Sequence, residues 1–353
     1  RPWLADADFI AKAASGRAAE IAPCIACNQA CLDHTFAGKL ATCLVNPRAC
    51  HETTLSYARA AVPRRVAVVG AGPAGMTAAM VAAGRGHRVT LFERAKSLGG
   101  QLNLARRVPG KEEFHGLVAW FEVMLSASGV ALRLGHEAKA EDLTGFDAVV
   151  LATGVMPRDP GIPTEAGARV LSYAEVLEGA DPGQRVAIVG AGGIGFDVAT
   201  ALVHQGVSPA LDPALWRAEW GISAPWEDRC GLVSGGPAPH PSAREVHLLQ
   251  RKLERPGRGL GKTTGWIHRS HLALNGVRMR GGVGYAKITG EGIFLDLGPD
   301  REPELLAVDG VVICAGQEPD RRLSAELQRL GIAHHLIGGA DLAAELDAKR
   351  AID

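Results

Sequence analysis

Short apolar runs, each followed by a glycine-rich turn and then a helical pattern, are the main feature of the hydrophobic pattern. The first copy predicts a strand at 66–69, a turn Gly-Ala-Gly-Pro-Ala-Gly at 70–75, a helix over 76–84 and a strand over 88–92. The second copy, 120 residues later, predicts a strand at 186–189, a turn Gly-Ala-Gly-Gly-Ile-Gly at 190–195 and a helix reaching about residue 204. Continuous apolar strands that alternate with helices are typical of buried parallel sheets. The pattern predicts an α/β protein with two Rossmann-like dinucleotide-binding domains, preceded by a cysteine-rich segment.

The rest of the chain carries further strand signals and two stretches without them. Strands are predicted at 245–250, 277–280, 285–288, 293–297, 310–314 and 335–337, the last running into a helix N-terminus at 338–341. The alanine-rich start predicts a helix over about 6–19. The Pro/Gly/Trp-rich stretch 206–242 is too long for a simple connection and predicts an irregular excursion on the surface or over a neighbouring domain.

Both glycine turns stand between a strand and a helix, where a backbone and a helix N-terminus can meet a pyrophosphate. Glu93, 23 residues beyond Gly70, ends the next strand and is placed to accept hydrogen bonds from an adenosine ribose. The alternative is a glycine turn without a ligand. The first turn, Glu93, Gly99-Gly100-Gln101 and Gly338-Gly339-x-Asp341 together resemble flavoproteins of the disulfide-reductase type, which implies FAD. The predicted FAD residues are Gly70, Gly72, Pro73, Ala74, Gly75, Glu93, Arg94, Gly100, Gln101, Thr153, Gly154, Gly339 and Asp341.

The second turn lacks an acidic partner, since the strand after its helix runs into Gln250-Arg251-Lys252. Cations at this position attract a 2′-phosphate, so NADP is favoured over NAD. The predicted NADP residues are Gly190, Gly192, Gly193, Ile194, Gly195, Arg251 and Lys252. The alternative for the two cations is a solvated strand end. Arg255, Arg258 and Lys262 follow closely, and the sequence does not choose among the basic residues.

Four cysteines, Cys24, Cys27, Cys31 and Cys43, follow the spacing Cys-x2-Cys-x3-Cys-x11-Cys. Three thiolates within eight residues and a fourth close behind are typical of an iron–sulfur cage, here predicted to hold a 4Fe-4S cluster. Structural zinc, the alternative, usually takes two separated pairs. Two nucleotide sites for redox cofactors in the same chain favour the cluster. The other three cysteines, Cys50, Cys230 and Cys314, are each expected to be buried small apolar residues.

Composition excludes several classes of partner. Lys plus Arg and Asp plus Glu both total 38, so no net charge attracts nucleic acid or an anionic membrane. No apolar run is long enough to span a bilayer and no signal segment opens the chain, which predicts a cytoplasmic protein. The sequence does not set the oligomeric state.

Four runs carry a more specific resemblance: CIACNQACLD (24–33), CLVNPRACHE (43–52), GLGKTTGWIHR (259–269) and VICAGQEP (312–319). With the cluster placed before two dinucleotide domains, the chain resembles the C-terminal part of the bacterial NADPH-dependent 2,4-dienoyl-CoA reductases. These are iron–sulfur flavoproteins of the NADH:flavin oxidoreductase or old yellow enzyme-like group, related to trimethylamine dehydrogenase. The resemblance implies that Ala74, Glu93, Gln101, Lys111 and the backbone of Ala138 contact FAD; for Lys111 and Ala138 it is the sole basis.

The resemblance also implies an upstream TIM barrel that holds FMN and the acyl-CoA site. The first six residues resemble the barrel's closing stretch, where Arg1 meets the FMN phosphate, so the chain is interpreted as a fragment without catalytic residues. The implied domains are 1–23, the barrel end and a linker helix; 24–62, the cluster segment; 63–156 with 306–353, the FAD domain; and 157–305, the NADP domain inserted into it. Electrons would pass from NADPH through FAD and the cluster toward FMN, to reduce 2,4-dienoyl-CoA in unsaturated fatty acid β-oxidation.

Two other interpretations stay open. In the first, the chain is the same kind of cofactor module but belongs to another enoate reductase or to an amine dehydrogenase. The residues that bind the substrate would then lie upstream. A non-enzymatic interpretation is a nucleotide-binding module stabilised by zinc.

Overall fold

The computed structural model describes residues 2–224, 227–343 and 352, and the chain divides into two compact units. Unit 1 consists of Arg1–Asn103, Glu113–Met156 and Gln317–Asp353. Unit 2 consists of Leu104–Glu112 and Pro157–Gly316.

The regular elements are short, and strands alternate with helices along most of the chain. The strands are β1 Arg65–Val69, β2 Arg88–Glu93, β3 Ala131–Leu134, β4 Ala148–Leu151, β5 Val155–Pro157, β6 Val170–Ser172, β7 Arg185–Val189, β8 Glu245–Leu249, β9 Arg278–Arg280, β10 Gly284–Thr289, β11 Gly292–Asp296, β12 Glu304–Ala307, β13 Gly310–Ile313, β14 Gln317–Pro319 and β15 His334–Leu336. The α-helices are α1 Pro2–Ala5, α2 Phe9–Ala14, α3 His34–Phe36, α4 Pro73–Gly84, α5 Leu102–Ala105, α6 Glu113–Ala127, α7 Ala140–Leu143, α8 Tyr173–Glu178, α9 Gly193–Val203, α10 Pro213–Trp220, α11 Gly265–Leu274 and α12 Arg322–Arg329. Single turns of 3₁₀ or π geometry lie at Ala18–Glu20, Gln29–Asp33, Pro209–Leu211, Arg229–Gly231 and Gly338–Ala340.

Unit 1 contains a parallel five-stranded sheet in the order β15-β4-β1-β2-β3. Its central strand β1 is buried from Val66 to Val69, as a continuous apolar run requires when helices cover both faces. Val69 pairs with Phe92 on one side and with Leu151 on the other. The carboxyl ends of β1, β2 and β4 therefore meet at one edge of the sheet, where ligands of this fold bind.

Unit 2 repeats this arrangement with a parallel sheet in the order β6-β13-β7-β8-β9. Val189 ends β7 and pairs with Leu249 and Ile313. An antiparallel sheet, β10-β11-β12, belongs to the same unit, and its buried Ile288 and Ile293 share a core with Val189. The predicted α/β class with two Rossmann-like parallel sheets is confirmed.

The predicted helix over 6–19 is wrong in extent, because α2, Phe9–Ala14, is the α-helical part of this range and a buried carboxylate turns the chain ahead of it. Asp6 is 5% exposed, and its side chain accepts hydrogen bonds from the backbone N–H groups of Asp8 and Ala22. These bonds turn the chain between α1 and α2, and the positive φ of Gly16 (+72°) follows the end of α2. The segment is thus two short helices and a 3₁₀ turn.

The stretch 206–242 contains an α-helix, α10, that the sequence prediction missed. Its start has a recognisable signal: the Asp212 side chain accepts from the N–H groups of Ala214 and Leu215, and proline follows at the first helical position. Its end is Gly221 in the left-handed region (φ +65°). Glu219 is buried and lies 2.8 Å from Nε2 of His271 on α11, so the stretch is anchored rather than an irregular excursion.

None of the described helices combines the length and apolar character needed to cross a bilayer. The longest of them, α6, has 15 residues.

Candidate cofactor sites

The first glycine turn is fixed by close contacts between backbone atoms. Gly70 has φ +102°, and a Cβ atom there would lie 2.3 Å from the carbonyl oxygen of Ala152. A Cβ atom at Gly75 would lie 1.8 Å from the oxygen of Gly70. Gly72, by contrast, faces open space at the N-terminus of α4. The turn therefore requires glycine at 70 and 75 and leaves at 72 a surface on which a pyrophosphate fits.

Glu93 lies at the end of β2 beside this turn and is 9% exposed. Its Oε2 accepts a hydrogen bond of 2.7 Å from the N–H of Ala71, and its Oε1 one of 2.8 Å from the N–H of Ala95. Each carboxylate oxygen can accept a further bond. The side chain is thus held rigidly with acceptor capacity left for the hydroxyls of a ribose.

A second glycine pair approaches the same turn. The N–H of Gly99 donates to the oxygen of Ala71 over 2.9 Å, and a Cβ atom at Gly100 would lie 2.9 Å from Cα of Gly72. Such a close approach admits only glycine at position 100. The predicted site residues 70–75, 93 and 100 are therefore brought together in unit 1.

Gln101, next to Gly100, and Gln317 form a hydrogen-bonded pair of side chains. Nε2 of Gln101 donates to the oxygen of Val155 over 3.3 Å, and Nε2 of Gln317 donates to Oε1 of Gln101 over 3.0 Å. Gln317 was not predicted as a site residue, although it lies in the specific run 312–319. Its position shows that it orients Gln101.

Thr153 and Gly154, which follow β4, are tied to the segment after β14. Oγ1 of Thr153 donates to the oxygen of Asp320 over 2.5 Å, and the N–H of Asp320 donates to the oxygen of Gly154 over 3.0 Å. The Arg322 side chain, 2.8 Å from the Asp320 carboxylate, lowers the pKa of Asp320. Asp320 was not predicted as a site residue, and no local sequence signal marks it.

The remaining residues predicted for FAD occupy varied positions. Pro73 opens α4, Ala74 and Gly339 are buried, Ala138 shares a core with Phe92, and Arg94 and Asp341 are exposed. Lys111 lies in unit 2, where its Nζ is 2.5 Å from Oδ2 of Asp197 on α9. Contact of these residues with FAD stays a prediction.

The glycine turn of unit 2 repeats the geometry of the first. Gly190 has φ +110°, and a Cβ atom there would lie 2.4 Å from the oxygen of Cys314; one at Gly195 would lie 1.9 Å from the oxygen of Gly190. Gly192 and Gly193 face open space at the start of α9, and Ile194 packs against the unit's core. This turn also fits a dinucleotide pyrophosphate.

Basic side chains follow β8 in unit 2. Arg251 and Lys252 are exposed and make no ion pair with any residue that the structure describes. Arg258, in contrast, is paired with Glu254 over 3.0 Å. Arg251 and Lys252 thus present charge that a ligand phosphate can neutralise.

The four motif cysteines lie half-buried in unit 1, and Cys24, Cys27 and Cys43 pack against its apolar core. Burial above all, together with the thiols of Cys31, Cys43 and Cys24, raises the pKa of Cys27 to about 11, so the four side chains are neighbours. Backbone N–H groups counter this effect: that of Gln29 donates to Cys27, and those of Val45 and Asn46 donate to Cys43. Partly buried sulfurs with N–H donors fit an iron–sulfur cluster.

Within the described part of the chain, no group of three or more His, Cys, Asp or Glu side chains is arranged to hold a single metal ion. The prediction for the other cysteines holds for Cys314, which is buried so that desolvation raises its pKa, and is wrong for Cys50 and Cys230, which are exposed. Arg1, predicted to meet an FMN phosphate, lies outside the described residues.

A family model for pyridine nucleotide-disulphide oxidoreductases matches residues 64–343. The chain belongs to this family. Membership implies FAD and a nicotinamide dinucleotide as cofactors and makes the chain a flavin-dependent oxidoreductase domain. The match covers both glycine turns and leaves the cysteine segment outside it.

Curated relatives extend the similarity upstream. A metal reductase of Desulforamulus reducens is 33% identical over 337 residues, 93% of this chain and 48% of the relative. A cinnamate reductase of Clostridium sporogenes is 36% identical over 214 residues, 58% of this chain and 31% of the relative. The chain thus spans half or less of the length of these relatives.

Among solved structures, a 2-naphthoyl-CoA reductase in complex with 2-naphthoyl-CoA is similar over 100% of this chain and 48% of that one, with a TM-score of 0.82 and 25% identity. A histamine dehydrogenase from Rhizobium is similar over 100% of this chain and 50% of that one, with a TM-score of 0.77 and 21% identity. The second likeness shows a shared fold.

Proposed function

We propose that the chain is the NADPH-oxidising, electron-transferring half of an iron–sulfur flavoenzyme that reduces 2,4-dienoyl-CoA. In this proposal unit 2 would hold NADPH, unit 1 would hold FAD, and Cys24, Cys27, Cys31 and Cys43 would hold a 4Fe-4S cluster. Together these groups would supply electron transfer from NADPH through FAD and the cluster toward FMN in an upstream barrel. The observation that carries it is the presence, in one chain, of two glycine turns with open phosphate surfaces and four neighbouring thiols.

The role of each group of residues follows from its geometry. A bound flavin would supply the change between two-electron and one-electron transfer. Gly72 and the N-terminus of α4 would hold the pyrophosphate of FAD, and Glu93 would accept from its ribose. The N–H groups of Gln29, Val45 and Asn46, which donate to Cys27 and Cys43, would stabilise negative charge on the cluster.

The proposed choice of NADPH rests on the end of β8. An acidic side chain there would accept from the free 2′-hydroxyl of NAD and repel a 2′-phosphate. This chain places Arg251 and Lys252 after the strand instead, both exposed and without an ion pair among the described residues. Two cations in this position favour the phosphorylated dinucleotide.

The proposed substrate rests on the resemblance of the cluster and nucleotide segments, and on two comparisons. The similar solved structure contains 2-naphthoyl-CoA, a CoA thioester, and one relative is named for cinnamate, an unsaturated acid. Both names point to reduction of a conjugated acyl group, while the histamine dehydrogenase shares the fold alone. The substrate-binding residues of an upstream barrel would distinguish dienoyl-CoA from these alternatives.

The test is anaerobic dye reduction by the reconstituted chain. We expect NADPH to drive reduction of an artificial electron acceptor, with NADH less effective and with no reduction of dienoyl-CoA by this chain alone. The double variant Arg251→Ala/Lys252→Ala should raise the KM for NADPH about 10- to 100-fold, because it loses the charge-assisted hydrogen bonds to the 2′-phosphate. The KM for NADH should stay the same.

Arg329→Ala, on α12, is the control, because Arg329 is exposed and lies in unit 1. Equal losses with both dinucleotides in the double variant would show that Arg251 and Lys252 do not contact the 2′-phosphate. Absence of NADPH-driven dye reduction in the loaded chain would contradict the proposed function.

A further inference from the structure

Glu93 in unit 1 and Gln250 in unit 2 occupy equivalent positions. Val69, before the first glycine turn, pairs with Phe92, so Glu93 is one residue beyond the pair. In unit 2, Val189 pairs with Leu249, and Gln250 is one residue beyond. The first glycine of each turn donates its N–H to the neighbouring strand at the same point, over 2.8 Å to Phe92 and 2.9 Å to Leu249.

The two side chains at this position make opposite kinds of hydrogen bond. The Glu93 carboxylate accepts from backbone N–H groups and keeps capacity for a ribose. Nε2 of Gln250 donates to the oxygen of Lys252 over 3.1 Å and to the oxygen of Glu254 over 2.5 Å. An amide nitrogen carries two hydrogens, so both donors of Gln250 are used within its own turn.

Residues 281–283 make further backbone contacts with the same turn. The N–H of Gly282 donates to the oxygen of Lys252 over 2.9 Å, and the N–H of Val283 donates to the oxygen of Gln250 over 3.2 Å. A Cβ atom at Gly281 would lie 2.8 Å from the oxygen of Glu254. The backbone of residues 250–254 is therefore held by carbonyl contacts, while the side chains of Arg251 and Lys252 stay exposed.

We propose that Gln250 is a positioning residue for dinucleotide selectivity: its amide folds the turn 250–254 so that Arg251 and Lys252 meet a 2′-phosphate. The inference rests on the proposed use of NADPH and adds the group that organises the phosphate site. A preformed turn loses less conformational entropy when the phosphate binds, which raises affinity for the phosphorylated ligand alone. Gln250 itself donates nothing to the ribose.

The experiment compares the binding of 2′,5′-ADP and of 5′-AMP to the whole chain by calorimetry, which requires neither flavin turnover nor the cluster. The Gln250→Leu variant keeps the size of the side chain and removes both donors. We expect the preference of the unmodified chain for 2′,5′-ADP to fall about three- to tenfold in this variant, the range that corresponds to a net loss of about one ordinary hydrogen bond. The affinity for 5′-AMP should stay the same.

Gln184→Leu is the matched control, because Gln184 is exposed and precedes β7 at the opposite end of the strands. Gly281→Ala is a second variant, in which the added methyl group displaces the Glu254 carbonyl. It should also lower the preference for 2′,5′-ADP. Thermal unfolding of each variant checks that the fold is retained.

The outcomes separate the inference from the proposed function. An unmodified chain without preference for 2′,5′-ADP overturns the NADPH assignment and the role of Gln250 together. A chain that prefers 2′,5′-ADP and keeps this preference in Gln250→Leu and Gly281→Ala overturns the role of Gln250 alone. Equal losses for both ligands also overturn it, since they indicate general support of the site.

Discussion

At the scale of single residues, the glycines of each nucleotide turn are required for different reasons. Gly70, Gly75 and their counterparts in unit 2 are required because a Cβ atom would overlap a backbone oxygen. Gly72 faces open space, so the lack of a side chain there leaves room for a ligand to contact the backbone. The same six-residue motif thus combines structural and ligand-facing glycines.

This difference predicts the effect of alanine at two positions in α4. Gly75→Ala brings a methyl group to 1.8 Å from the Gly70 oxygen, which must displace the turn. We expect the chain to lose about 1–3 kcal/mol of unfolding free energy and to bind FAD at least about tenfold more weakly. Gly84→Ala, at the end of the same helix with no atom within 4 Å, should retain FAD affinity and leave stability equal or slightly higher. Flavin titration and thermal unfolding measure both; equal FAD affinity in the two variants would refute the steric argument.

At the residue scale the sequence was sufficient for Glu93 and insufficient for Gln250. An acid at a strand end, 23 residues after a glycine turn, follows from a known motif, and the structure holds Glu93 beside that turn. The role of Gln250 depends on which carbonyl oxygens its amide reaches, at positions 252 and 254. That choice depends on the path of the turn and cannot be derived from residue type.

At the scale of elements, the segment before the cysteines is held by one buried ion pair. Nζ of Lys12 lies 2.6 Å from Oδ2 of Asp6, and it also donates to the oxygen of Glu20 over 3.1 Å. Nε1 of Trp120 on α6 donates to the same oxygen over 3.0 Å. Since Asp6 also accepts from the N–H of Ala22, this network fixes the chain two residues before Cys24.

The network predicts a pH-dependent stability. Burial alone would raise the pKa of Asp6, but hydrogen bonds from Lys12, Ala22 and Asp8 outweigh it and lower the pKa. The contribution to unfolding free energy is therefore fully present above the unfolded-state pKa of about 3.9 and is lost as pH falls through the lower folded-state pKa. We expect Asp6→Asn to cost about 3 kcal/mol at pH 7, because it leaves the Lys12 charge without its partner.

The measurement is thermal unfolding of Asp6→Asn and of the unmodified chain from pH 7 down to about pH 3. The difference between them should shrink as the pH falls, because protonation removes the same charge from the unmodified chain. Asp8→Asn is the control, since the Asp8 side chain is exposed and makes no cap hydrogen bond. A difference that is constant with pH would rule out the ion pair as its cause.

At the scale of the whole molecule, the cysteine segment belongs to unit 1 rather than standing apart. Cys24, Cys27 and Cys43 pack against the core that also contains Val66 and Val68 of the central strand β1. Unit 2 carries the second glycine turn and the basic turn after β8. The functional boundaries proposed at residues 23, 62, 156 and 305 stay predictions.

The metal content of the chain decides between an electron carrier and a zinc-stabilised module. We expect the anaerobically purified chain to contain about four iron atoms with acid-labile sulfide and to be coloured. Cys43→Ser should lose most of the iron, because Cys43 is a half-buried neighbour of the other thiols, whereas Cys50→Ser should retain it, because Cys50 is exposed. Zinc in a colourless chain, or equal iron loss in both variants, would contradict the cluster.

Local sequence pattern was enough to predict the α/β class, both glycine turns, Glu93 and the cysteine spacing, because each depends on apolar runs, glycines in turns or fixed offsets along the chain. The folded chain was needed to show that Asp6 turns the backbone ahead of α2, that Glu219 and His271 anchor α10, and that Lys111 lies with Asp197 in unit 2. It also decided that Gln250 organises its own turn. These features depend on hydrogen bonds and ion pairs that form only when the chain has brought their partners together.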